Sequence, residues 1–416
     1  MRELLERSPS LPHGEGVDEW LTGAGRMPDA TSANRVLLVA AANACMFVFG
    51  AVLLLMGSLL PTLQFTYSRS GNLGSFPLAG ILVSTILVGP ILDLMGAKKV
   101  LAVALGLVAA SLGVMPTLHS YSGLVAAAFV YGLAGGGLNT ATNALVADIS
   151  VGGRAAALNL LGFFFSLGAV SAPLMLSSVG GSFSTTVVLR TLAVFCLVVL
   201  LFVLSLRFPP PIKPGTRLST LLKVLSHGAV WLFAALLFFE SGSENCTFVW
   251  TSKIVADALH TSPNRANVAL VALSAALGGG RIAAALFLRR LGSARTIWLS
   301  TAVIVAGSIV MRNATQMSSM IMAAIIIGLG LSAIFPTALG MAGDRFPEET
   351  GTVFGAIMAV ALAGGTAGTK IAGWIAPYDV RRVLLIPIFA AVAVAALAVI
   401  IVKRSLRPVQ KPSVPS

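Results

Sequence analysis

Along most of this chain, apolar runs of about 20 residues follow one another with only short polar breaks, and about 20 residues is the length a helix needs to cross a hydrocarbon layer. Twelve such spans can be marked, at about 36–60, 73–95, 100–117, 121–147, 155–178, 184–206, 228–252, 266–288, 295–311, 317–342, 352–376 and 383–402. Transmembrane strands would show short alternating segments instead, so the spans read as helices. The expected fold class is an all-α integral membrane protein. With 56% hydrophobic and 10% charged residues, the chain falls outside the composition of soluble globular domains. Its 42 glycines suit helices that approach closely in lipid.

The net charge of +13 does not require a nucleic-acid partner, because lysine and arginine in a multi-pass chain follow topology first. With both termini cytoplasmic, 19 of the 28 basic residues fall on the inner side. Residues 1–35 hold acids and prolines without an apolar core behind basic residues, which reads as a flexible cytoplasmic tail and not a signal peptide. Residues 404–416 read as a second cytoplasmic tail. The three cysteines, Cys45, Cys196 and Cys246, all lie within spans and read as packing residues, so no metal, cofactor or disulfide is expected.

The proline-rich, basic segment 207–227 divides the chain into six spans and six. The expected organisation is a bundle over 36–206, a cytoplasmic linker over 207–227 and a bundle over 228–403. A shift of 196 residues superposes two distant pieces of the halves. It lays Gly96 over Gly292, and it lays Gly132 and Asp148 over Gly328 and Asp344.

The run Gly89-Pro90-Ile91-Leu92-Asp93-Leu94-Met95-Gly96-Ala97-Lys98-Lys99 resembles the loop between helices 2 and 3 of the major facilitator superfamily. Gly89 would permit close helix contact, and Asp93 at a helix end could pair with a base in one conformation and release it in another. "GGLNTATNALVADI", "RAAALNLLGFFFSLGAVSAPL", "ESGSENCTFVW" and "AIFPTALGMAGDRFPEETG" look like the fucose/proton symporter family within it. That resemblance implies two pseudo-symmetric six-helix bundles around a central cavity that opens to each side in turn. It also implies a small, neutral, polyhydroxylated substrate such as a sugar. The chain departs from those relatives in three places: Asn139 stands where they have a glutamate, Phe165 where they have an asparagine, and the first span holds no acid. Their proton-binding pair is therefore missing. Any proton coupling must have moved, and fucose itself is not implied.

Glu240, Glu244, Thr247 and Thr251 are spaced four, three and four apart, which puts them on one helix face. Two acids in one span must face protein or water, so this stripe is expected to line the cavity, with Glu240 and Glu244 as proton-coupling groups. Glu244, six residues before Trp250 like the acid of family members, is also expected to bind substrate. Arg281 and Lys370 lie within spans and are expected to pair with these acids, breaking and re-forming the pairs as the conformation changes. Asn139 and Asn143 on span 4 and Asn159 on span 5 each offer a donor and an acceptor, which suits sugar hydroxyls. Trp250 reads either as a stacking surface for a sugar or as an interfacial anchor. Gly89, Asp93 and Gly96 complete the expected gating set, and Pro336 is a candidate hinge in span 10.

An enzyme would need a catalytic constellation, yet the four histidines lie in tails or at span ends, and HExxH, GxSxG and Walker A runs are lacking. A solute-binding sensor would carry a large signalling domain, and the tails are short. Within transporters the rival is efflux by antiport, since Gly168-Ala169-Val170-Ser171-Ala172-Pro173 partly matches an exporter pattern. The expected partners are a small-molecule substrate, protons and the bilayer of the plasma (cell inner) membrane, around a monomer.

Overall fold

The computed structural model describes residues 32–150, 154–179, 181, 183–210, 224–287, 291–346 and 350–405. Nearly all of the two expected tails and residues 211–223 of the linker lie outside the described residues. Twelve long helices run through the rest: α1 (Ser32–Leu59), α2 (Tyr67–Met95), α3 (Ala97–Val114), α4 (Tyr121–Ile149), α5 (Arg154–Leu176), α6 (Thr185–Ser205), α7 (Gly228–Ala258), α8 (Pro263–Phe287), α9 (Ser293–Asn313), α10 (Met317–Arg345), α11 (Thr350–Ile375) and α12 (Leu385–Ser405). With twelve helices, the described helix ends Ser32 and Ser405 fall at one end of the fold. At the opposite end, termed the outer end, hydroxyl side chains start three helices: Thr66, Ser120 and Ser184 accept hydrogen bonds from the backbone N–H of Arg69, Gly123 and Val187.

Eleven of these helices are long and apolar enough to span a membrane. The exception is α7, whose 31 residues carry Glu240, Ser241, Ser243, Glu244 and Asn245 near the middle. It packs against α1, α8, α10, α11 and α12, so protein shields that polar middle from lipid.

The internal repeat runs through five of the six helix pairs, the exception being α6 and α12, which start at 185 and 385. The starts of α1 to α5, at 32, 67, 97, 121 and 154, and of α7 to α11, at 228, 263, 293, 317 and 350, differ by 196 residues in every pair. Packing follows the same rule: α1 on α5, α2 on α4 and α3 on α6 recur as α7 on α11, α8 on α10 and α9 on α12. Gly96 and Gly292 occupy equivalent turns with φ of 78° and 77°, a region that side chains disfavour. Gly132 of α4 abuts the Pro77 carbonyl of α2, and Gly328 of α10 abuts the Leu273 carbonyl of α8, again 196 residues on. A further contact is conserved with its partners exchanged. Gly136 of α4 meets Ser84 of α2, whereas Ser332 of α10 meets Gly280 of α8.

Close approach of backbones holds each bundle together. Gly168 of α5 lies against the Phe47 carbonyl of α1, and Gly364 of α11 lies against the Phe238 carbonyl of α7. Gly168→Val or Gly364→Val is expected to cost about 1–3 kcal/mol by overpacking, read as a lower melting temperature of the purified protein. Gly89 corrects the expectation placed on it: a Cβ there would meet nothing within 4 Å. The reason is its position in the last turns of α2, where Ile86, Leu87 and Leu94 are exposed and the helix has parted from its neighbours.

Candidate functional site

The two bundles meet through α2 on α11 and α5 on α8, and these contacts are closed at the outer end. Gly71 of α2 and Gly373 of α11 cross so tightly that a Cβ on either would lie 2.7 or 2.8 Å from the other's Cα. Gly57 of α1 abuts the Phe248 carbonyl of α7, and Gly74 of α2 abuts Val249. Asn267 of α8 adds a polar clasp. Its amide nitrogen donates to the Ser58 carbonyl of α1 at 3.2 Å, and its Oδ1 accepts from Ser252 at 2.8 Å. All three residues are fully buried.

Below this closure a cavity of about 1170 Å³ widens towards the end that carries the described helix ends Ser32 and Ser405. It reaches the α8–α9 turn at Gly292 and Ser293 and the end of α10 at Asp344. One wall comes from α4 and α5 and presents Asn139, Asn143, Asn159 and Phe165. The facing wall comes from α7 and α8 and presents Ser241, Glu244, Asn245, Phe248 and Arg281. Phe49 of α1 and Phe335 of α10 enlarge the apolar part, and Phe49 stacks obliquely on Phe165 with ring centres 5.5 Å apart. Pro336 of α10 also lies on the wall, within a helix that continues on both sides of it.

The amides are partly engaged with one another. Asn143 donates from Nδ2 to the Asn139 carbonyl at 2.8 Å and to Asn139 Oδ1 at 2.9 Å. Asn245 donates likewise to Ser241 O at 3.0 Å and Oγ at 3.1 Å. Among the described residues, Asn139 Nδ2, Asn143 Oδ1 and Asn245 Oδ1 have no such partner, which leaves a donor and an acceptor on the α4 wall and an acceptor on the α7 wall for a solute.

Charge is concentrated at one point. Arg281 Nη2 lies 3.5 Å from Glu244 Oε1, a single long contact and not a bidentate pair. The Arg281 guanidinium also sits 5.9 Å above the Phe165 ring, so it touches both bundles at once. Of the two expected acid–base pairs, only this one forms. Lys370 is exposed on α11 with its ammonium 5.7 Å from the Trp374 ring, turned away from both acids. Lys370→Met is therefore expected to change transport less than about twofold in an uptake assay, the usual small effect of an exposed cation.

Two further expectations need correcting. The stripe Glu240, Thr247 and Thr251 does not line the cavity: Glu240 is 1% exposed and both threonines are buried, donating to carbonyls of their own helix. Glu244 alone of that stripe reaches the wall. The cavity face of α7 is Ser241, Glu244, Asn245 and Phe248, about one residue out of phase, because the stripe's side is covered by neighbouring helices. Trp250 is fully buried, and its Nε1 donates to the Thr369 carbonyl of α11 at 3.2 Å while its ring lies 6.4 Å from that of Tyr67. It belongs to the closed outer end, neither to the cavity nor to a lipid interface. Asp93 is half-buried at the end of α2, with no ion pair among the described residues.

The model of the Major Facilitator Superfamily matches residues 36–311 and 232–415. The chain belongs to the major facilitator superfamily. It is thus a secondary transporter of that superfamily. Two crystal structures of the nucleoside transporter NupG superpose on this facilitator with TM-scores of 0.75 and 0.73, each at 13% identity, over 88% and 90% of this chain and 99% of theirs. A bacterial homologue of the human lysosomal transporter Spinster, inward-facing and unoccupied, superposes with a TM-score of 0.71 at 11% identity, over 91% of this chain and 100% of its own. No curated protein sequence matches. At such identities the likeness extends to the fold alone.

Sequence reasoning missed Ser241, Asn245 and the phenyl walls of this facilitator. A signal for the first two exists in the spacing 241, 244, 245, 248, which is as helical as the stripe that starts at 240.

Proposed function

We propose that this facilitator moves a small, neutral, polyhydroxylated solute across the plasma (cell inner) membrane by alternating access, as a monomer with both termini cytoplasmic. The observation that carries the reading is the set of amides on opposite walls, Asn139, Asn143 and Asn159 against Asn245, among which Asn139 Nδ2 remains to donate and Asn143 Oδ1 and Asn245 Oδ1 remain to accept. Hydroxyls need both in one place. A neutral solute is supported by the balance of Arg281 by Glu244 in the cavity interior, Asp344 lying at its mouth. The 19 basic residues on the side of the termini support the orientation, and the bundle over 36–206, linker over 207–227 and bundle over 228–403 would then rock about the cavity.

The phenyl walls extend the solute class beyond bare sugars. Phe49 and Phe165, with the Arg281 guanidinium over the latter, suit a flat ring, so a polyol bearing a planar group, as in the nucleosides named for NupG, answers more of the lining than a hexose does. Glu244 is the group through which a proton would couple, because its protonation would release Arg281.

The test is uptake of labelled hexoses, deoxyhexoses and nucleosides into proteoliposomes, with and without an inward proton gradient. Accumulation of any of them beyond equilibrium under the gradient supports the reading with coupling, and equilibration alone supports facilitated passage. If none moves while apolar dyes are pumped, the solute class is wrong and efflux by antiport replaces it.

A further inference from the structure

Resting on the transport reading above, the geometry points to a two-carboxyl proton site on α7. In it Glu240, sealed away from the solute cavity, stores the proton; Glu244, on the cavity wall, passes it; and Arg281 decides which carboxyl holds it.

Glu240 is 1% exposed, and neither of its carboxyl oxygens has a hydrogen-bond partner among the described residues. An ionised carboxylate left in that condition inside a membrane protein is far costlier than the neutral acid, so a proton accompanies Glu240 in this conformation. The side chains that act on it electrostatically are Glu244, one helical turn away, and Arg281. The other charged groups on α7 and on the helices packed against it lie elsewhere. Lys253 and Asp257 pair with each other at the outer end of α7, Arg265 lies in the first turn of α8 beside a separate pocket at that end, Arg345 is the last residue of α10, and Lys370 of α11 faces Trp374. Asp344 of α10 sits at the cavity mouth, and Arg35 of α1 and Lys403 of α12 lie near the helix ends on that same side.

Glu244 differs from Glu240 in both respects that matter. It has a base at 3.5 Å and it opens onto the cavity. Two carboxyls one turn apart cannot both be ionised cheaply, and the base at 3.5 Å stands against Glu244, not Glu240. Starting from a Glu240 that has given up its proton, loading then runs in balanced steps and ends in the state seen here. A proton from cavity water binds Glu244, cancels its charge and frees Arg281. Transfer to Glu240 breaks one O–H bond on Glu244 and forms one on Glu240, and Arg281 returns to the restored Glu244 carboxylate. Because the stored proton sits behind the wall, solute and proton do not contend for one group. Both can be held at once, which is the condition for symport; exchange by competition would need a shared group.

The experiment uses the full chain in lipid nanodiscs with no solute and reads the infrared C=O stretch of protonated carboxyl groups at neutral pH. The wild type is expected to show one such band, slow to shift in heavy water. Glu240→Gln should remove it and Glu244→Gln should retain it. Arg281→Met should raise it, because the base that stands against Glu244 is then gone, and an unchanged band there removes Arg281 from the assignment. Absence of the band in wild type, or its survival in Glu240→Gln, overturns the assignment. Should Glu240→Gln fail to fold, titration of the wild type decides: a band that vanishes near pH 4.3, where solvated glutamate ionises, overturns it, and one that persists to neutrality upholds it. The readout needs no solute, so it separates the two readings. A band as expected with no sugar or nucleoside uptake leaves the proton site and removes the solute class; uptake without the band does the reverse.

Discussion

Arg281→Met is expected to lower the initial rate of solute uptake at least tenfold, and Glu244→Gln to abolish accumulation against a gradient while leaving downhill exchange in place. The asymmetry comes from what each change strands. Without Arg281 the Glu244 carboxylate loses its base, and the Phe165 ring loses the guanidinium 5.9 Å above it, so the two bundles lose a group that touches both. With glutamine at 244 the guanidinium stays, permanently released. Each single change is also expected to destabilise the protein by about 1–2 kcal/mol, below the range for a fully buried pair because the Arg281 side chain is 32% exposed to the cavity. The double variant should recover most of that stability and none of the accumulation. A double-mutant cycle on melting temperature and uptake checks both halves of the statement.

The second large effect is expected at the outer closure. Gly71→Leu or Gly373→Leu places a side chain where the other helix backbone already lies, 2.7 or 2.8 Å from the new Cβ. Each helix is well packed within its own bundle, so the strain is relieved by parting the bundles. An overpacking cost of about 1–3 kcal/mol borne only by the closed form shifts the balance about 5- to 150-fold towards an open outer end. Uptake should fall accordingly. The decisive readout is alkylation by an impermeant thiol reagent of Val249→Cys, in a background where Cys45, Cys196 and Cys246 are alanine. Val249 is 3% exposed against Gly74 across the interface, and its replacement should become reactive in the Gly71→Leu chain. Unchanged protection there would show that the bundles do not pivot about this crossing.

Much of the fold was legible because lipid imposes a strong rule on sequence. Every backbone group must be satisfied within its own helix, so spans are long, apolar and countable, and all twelve were placed. The repeat was legible at Gly96 and Gly132, since turns and backbone crossings tolerate little but glycine. The site was harder. Asn139, Asn143, Asn159, Glu244 and Arg281 do share one cavity, as polar groups that cannot face lipid must. The phase of α7 was not legible, because a helix surrounded by protein has no lipid face to fix its rotation. What turns Ser241 and Asn245 rather than Glu240 towards the cavity is their packing on Gly365 of α11, a tertiary fact that no periodicity in α7 records. Trp250 was misplaced for a similar reason. Tryptophan near a span end suits an interface, but here the end of α7 is roofed by Tyr67 and α11.

The way the outer end is shut has a consequence for the kind of switch this is. Gly71 on Gly373, Gly57 on a carbonyl, an amide clasp at Asn267 and the Lys253 ammonium over the Tyr67 ring join the bundles there, and among the described residues no ion pair crosses the seam. A latch made mostly of fitted backbone, with a single ammonium set against a ring, has little for dissolved salt to screen. Its poise between open and shut should thus stay constant from dilute to concentrated buffer, responding to the bulk of a side chain rather than to the ions around it.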